Sequence, residues 1–122
     1  MAAPNIVGVS SIYGKTMGAD LGTTVTTAIL TCPANKVLKI NTIIVSNVDG
    51  TNAADATVYF YDSSASANRA LASTISVPSD TSLVVLSKDT AIYLEESDQI
   101  RAGASAAGDL QIVISYEELD DA

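Results

Sequence analysis

The chain has 122 residues, 48% hydrophobic but only 5% aromatic, with six Lys and Arg against 14 Asp and Glu and a formal charge of −8. That length holds one domain with a real core and is too short for two, and the acidic balance argues against a nucleic-acid ligand, whose phosphates call for a basic footprint. With Cys32 as the sole cysteine no intrachain disulfide can form, so stability must come from burial or association, as expected of a protein made in a reducing cytoplasm.

The opening MAAPNIVGV lacks the basic and apolar regions of a signal peptide, and no apolar run approaches membrane-spanning length, so neither secretion nor a membrane partner is expected. Residues 1–22 hold one weak strand, at 5–12, followed by Gly14, Gly18 and Gly22. This spacing predicts an adaptable arm rather than a packed segment. A body over residues 23–118 follows, with strands predicted at 23–32, 37–47, 56–61, 71–77, 82–87, 91–94, 99–105 and 110–117. Explicit turn residues separate them: Pro33-Ala34-Asn35, Asp49-Gly50, Pro78-Ser79-Asp80, Ser97-Asp98 and Gly108-Asp109. Residues 63–68 are expected to form a flexible loop tip, one helical turn is placed near 52–55, and the closing acids Glu117, Glu118, Asp120 and Asp121 are read as solvated, with residues 119–122 as the acidic tail beyond the body.

The patterning also says which strands are central. Leu110, Ile112, Ile114 and Tyr116 share one face of the last strand, opposite Gln111, Val113 and Ser115. Residues 37–47 and 83–86 are apolar on both faces, which predicts central strands or strands with one face against a partner subunit. Eight or nine short strands so arranged predict an all-β, two-sheet antiparallel β-sandwich. A jelly roll is the first choice of strand order and an immunoglobulin-like sandwich the second.

No motif carries catalysis. Histidine is absent, removing the commonest general base and metal ligand. Cys32 ends an apolar run with no base nearby and is expected to be inert. Glu95-Glu96 with Asp98, and Glu117-Glu118, are adjacent acids that point to opposite faces of a strand instead of converging. The loop from Asp49 to Asp55 lacks the spacing and terminal Glu of a calcium hand and is read as a plain Asp-Gly turn. No enzyme, cofactor or metal is expected. Tyr59, Phe60 and Tyr61 alternate sides of one strand, leaving Tyr59 and Tyr61 on a shared face as interface candidates, or, with Tyr93, as a glycan platform.

The segments TCPANKVLKINTIIVSNVDGTNAADATVYFYD and LASTISVPSDTSLVVLSKDTAIYLEESDQIRAGASAAGDLQIVISYEE resemble a family of small virion proteins of tailed bacteriophages, including cyanophages and other marine phages. The likeness spans residues 5–118 and rests on the order of turns and strands. It implies a structural role: a capsid decoration or cement protein made in the host bacterial cytoplasm, sited on the capsid surface and bridging major capsid protein subunits, with homo-oligomers expected. A neck, tail or fibre protein, or a glycan-binding β-sandwich module, are the alternatives. The candidate interface residues are Pro4, Ile6, Val7, Val9, Ile12 and Tyr13 of the arm, which would add a strand to a capsid sheet edge or else cover its own sandwich, together with Tyr59 and Tyr61.

Overall fold

The computed structural model describes residues 11–120, and in them nine strands form two stacked antiparallel sheets. The strands are β1 (Ser11–Asp20), β2 (Ala28–Thr31), β3 (Lys36–Asn47), β4 (Ala54–Asp62), β5 (Ala67–Val77), β6 (Ser82–Leu86), β7 (Ile92–Leu94), β8 (Gln99–Ala104) and β9 (Leu110–Asp120). One sheet runs β1-β9-β3-β6 with β7 also on β3, and the other runs β2-β8-β4-β5. This interleaved order, in which the chain crosses between sheets at every connection except the β4–β5 hairpin and the β6–β7 link, is the jelly-roll arrangement. β6 pairs with Ile43–Ser46 of β3 and β7 with Leu38–Ile40, so the two act as one edge strand interrupted by a 3-10 turn at Lys88–Thr90.

The core explains the alanine-rich pieces of the sequence. The five-stranded sheet sends in large branched side chains, Leu38, Ile40, Ile43 and Val45 from β3 and Ile112 and Ile114 from β9. The four-stranded sheet answers with Ala54, Ala56, Ala72, Ala102 and Ala104 around Val58 and Ile100. Large residues on one inner face against small ones on the other let the sheets close to native density. Ala102 and Ala104 are therefore strand residues facing large neighbours, and the segment has no reason to wind into a helix.

Polar groups at the sandwich ends are tied down. Asn47 is buried, yet its Nδ2 donates to the carbonyls of Val77 (2.8 Å) and Asn52 (3.0 Å) while its Oδ1 accepts from the Asp49 amide (2.8 Å). It thereby joins the end of β3 to the end of β5 in the opposite sheet.

Several sequence expectations are corrected. Residues 11–20 are a full edge strand, registered with β9 from Ser11–Asp120 to Asp20–Gln111, so the predicted arm of residues 1–22 is part of the sandwich from Ser11 onward. The glycines there face outward beside a single neighbouring strand, where nothing forbids them, while Met17 and Ala19 pack inward. The weak strand at 5–12 falls almost wholly outside the described residues. The strand predicted at 23–32 is shortened to Ala28–Thr31, because Thr24 to Thr27 form a turn closed by the Thr27 amide on the Thr24 carbonyl. Residues 67 and 68 already belong to β5, and the helical turn lies at Lys88–Thr90 rather than near 52–55, where β4 begins.

The acidic tail is corrected as far as Asp120; Asp121 and Ala122 lie outside the described residues. β9 runs on to Asp120, and Glu118 is only 8% exposed. Its carboxylate takes the ammonium groups of Lys15 (3.2 Å) and Lys36 (3.1 Å), and Lys36 also reaches Asp120 (3.2 Å). Burial alone raises the Glu118 carboxyl, but Lys36 and Lys15 outweigh it and hold it below the usual carboxylate range. The hydrogen bonds that Lys36 donates to Glu118 and Asp120 raise its own ammonium group. These acids clasp β1, β3 and β9 together.

Candidate protein-protein interface

Ile43 and Val45 of β3, and Ile112 and Ile114 of β9, are fully buried between the sheets, so by strand alternation Ile44 and Val113 point outward. Register brings them into one row: Gly18, Val113, Ile44 and Val84 stand opposite one another across β1, β9, β3 and β6. Val113 and Val84 are 43% and 59% exposed, and Ile44 lies half-buried between them. One neighbouring row is polar and internally satisfied. Gln111 Nε2 donates to Asp20 Oδ1 at 2.9 Å, and the Ser46 and Ser82 hydroxyls are 2.9 Å apart. The row on the other side is Thr16, Ser115 and Thr42. The face is thus an apolar stripe set between polar side chains, with no ion pair across it among the described residues.

The outer face of the four-stranded sheet is built differently. The 22–27 segment lies over it so closely that a Cβ on Gly103 would sit 2.6 Å from the Val25 Cα. Only glycine admits that approach. Beyond this cover, Tyr59 and Tyr61 of β4 stand opposite Arg101 and Gln99 of β8. The Arg101 guanidinium lies over the Tyr61 ring, 3.6 Å from its centroid. Its Nε donates to Gln99 Oε1 (2.7 Å) and its Nη1 to Asn68 Oδ1 (3.2 Å). Tyr61 therefore has one ring face covered by a cation, and both tyrosines are half-buried.

On the flank where β5 and β6 are sheet edges, the sandwich is open, and a shallow groove of about 460 Å³ runs between them, lined by Leu71, Ile75, Leu83 and Val85. Tyr93 borders its continuation beside Phe60, Arg69 and Ile92.

Of the residues singled out in the sequence, Ile12 and Tyr13 lie near the start of β1, 60% and 50% exposed, and Tyr59 and Tyr61 share the outer face just described. Pro4, Ile6, Val7 and Val9 lie outside the described residues. The structure does not bring Ile12 and Tyr13 together with the tyrosines, which sit on the other sheet. Sequence reasoning had marked the two-faced strands 37–47 and 83–86 and the outward Val113, but without register could not align them. Arg101 was missed: it was one of six scattered bases, and its only signal was the Gln99–Arg101 alternation beside Tyr59 and Tyr61.

The remaining polar sites are structural. Asp98 is buried and accepts the amides of Ser63 (2.9 Å) and Glu95 (3.0 Å), fixing the turn around Glu95 and Glu96. Asp49 Oδ1 accepts the Thr51 amide (2.8 Å), an Asx turn whose hydrogen bonds lower the carboxyl. Cys32 is buried, and burial pushes its thiol up to about 11, so the nucleophilic thiolate is scarce at neutral pH. Among the described residues no group of three or more acids or Cys is placed to hold a metal, and no helix is long and apolar enough to cross a membrane.

No family model matches the chain, and no curated protein matches it in sequence.

Proposed function

We propose that this chain is a structural protein of a tailed-bacteriophage virion that decorates the capsid and bridges major capsid subunits, with the outer face of the five-stranded sheet as its contact. The observation that carries the proposal is the Gly18–Val113–Ile44–Val84 row. Those side chains add nothing to the core, which is closed one residue away by Ile43, Val45, Ile112 and Ile114. An apolar stripe on an exposed sheet face, set between polar neighbours, is the composition of an interface centre rather than of a solvated face. Its burial against a partner contributes through the area removed from water, at about 25 cal/mol per Å² before association costs.

The phage setting is drawn from the resemblance of the turn and strand order, and a disulfide-free jelly roll suits a role performed in many copies. Glycan binding is less favoured, since the Tyr61 ring is already capped by Arg101. Electron microscopy of virions labelled with an antibody to this chain is expected to show signal at many equivalent positions over the shell. Signal confined to the neck or tail would overturn decoration.

A further inference from the structure

Arg101 is held at three points, and every group that holds it is neutral. The ring of Tyr61 supports its plane, Gln99 takes Nε, and Asn68 takes Nη1. A guanidinium has five N–H donors; two are used here, and the other three have no partner among the described residues. None of the carboxylates among the described residues is paired with this cation, so its charge is met only by neutral groups. Fixing an arginine rotamer costs up to about 2 kcal/mol of entropy, which two hydrogen bonds to amide oxygens and one cation–π contact roughly offset. The cluster therefore does little for stability, but it presents a charged fork whose ordering cost has already been met.

We propose that Arg101 is a preorganised receptor for a carboxylate side chain, Asp or Glu, of a protein partner docking on the outer face of the four-stranded sheet. The carboxylate accepts the remaining guanidinium N–H donors in a charge-assisted pair, the geometry for which arginine is better suited than lysine. Tyr59, directly opposite Arg101 in register, flanks the seat. A protein side chain is favoured over an acidic sugar, because the guanidinium already covers one face of the Tyr61 ring and leaves a sugar less aromatic surface to stack on. The inference deepens the proposed function, since a protein that bridges subunits needs a second contact face. It rests on that reading only for the identity of the partner.

The test uses the isolated full chain, so it succeeds or fails independently of any position in a particle. The Arg101 Nε–H resonance is followed by NMR while N-acetyl-glutamate methylamide is added at constant ionic strength, with the glutamine analogue and glucuronate as parallel probes. A saturable shift with a midpoint on the order of 10 mM is expected for the glutamate probe and none for the glutamine probe. Tyr61→Leu and Asn68→Ala, each checked for an unchanged fold by its amide spectrum, are expected to weaken binding at least about threefold by freeing the arginine. Arg101→Lys is expected to bind at least about tenfold more weakly. No saturation by the glutamate probe, or full affinity in both loosened variants, would overturn the proposal. Glucuronate binding more tightly than the glutamate probe would reassign the site to acidic sugars and equally overturn it.

Discussion

The outer face of the five-stranded sheet leaves Val113, Ile44 and Val84 uncovered beside Gly18, whereas the four-stranded sheet draws the 22–27 segment over Gly103 and ties Arg101 to Tyr61, Gln99 and Asn68. Both sheets serve the same core from the inside. The difference outside teaches that burial within the chain and readiness for a partner are separable properties of one sandwich. One face is bare and dry in character, suited to association through area. The other is partly closed by its own chain and carries a single oriented charge.

Glycine substitutions should break this comparison most forcefully. Gly103→Val drives a side chain into the Val25 backbone and is expected to cost at least about 3 kcal/mol in chemical denaturation, or to prevent folding. Gly18→Ala on the bare face meets only ordinary contacts, at 3.6 Å and beyond, and is expected to stay within about 0.5 kcal/mol of wild type. Equal losses at both positions would remove the distinction between the faces.

Adjacent residues of β9 sharpen it further. Ile112→Ala opens a cavity in the core and is expected to cost about 3 kcal/mol. Val113→Ser, one residue along, is expected to leave stability within about 0.5 kcal/mol while weakening attachment to the partner. A destabilised Val113→Ser protein would show that the row serves the fold after all.

The smallest effect concerns the clasp at the β1, β3 and β9 end. The Glu118 carboxyl is lowered in the folded chain, so its contribution is present above its unfolded value of about 4.3 and is lost as pH falls through the folded value. Lys36 is raised, so its share is present below about 10.4 and fades only as pH rises through the folded value. Glu118→Gln is expected to cost about 1 kcal/mol at neutral pH, with the gap to wild type closing on acidification. A gap unchanged down to low pH would contradict the ion-pair account.

Much of this fold was legible in the sequence because β-branched alternation and explicit turn residues report local geometry directly. The strands at 37–47, 56–61 and 110–117 lie inside β3, β4 and β9. The edges were less legible. In residues 11–20 the glycines suggested looseness, yet an edge strand needs hydrogen bonds on one side only, and the inward Met17 and Ala19 were the overlooked signal. The acids after Tyr116 looked like a tail because their partners, Lys15 and Lys36, are remote in sequence. The interface was half legible: strand alternation gave the outward direction of Val113 and Ile44, but the row exists only through cross-strand register, which composition does not encode. Arg101 depends on three residues from three strands, an arrangement that no local pattern announces.

The most direct test of the central claim is the reactivity of Val113→Cys toward a maleimide in free protein and in assembled particles, with Ser64→Cys at an exposed loop as the reference. Cys32 is buried with its thiol raised to about 11, so it leaves a quiet background. The account predicts rapid labelling of Val113→Cys in the free chain and at least about tenfold protection in the particle, with Ser64→Cys little changed. Equal labelling of Val113→Cys in both states would contradict it.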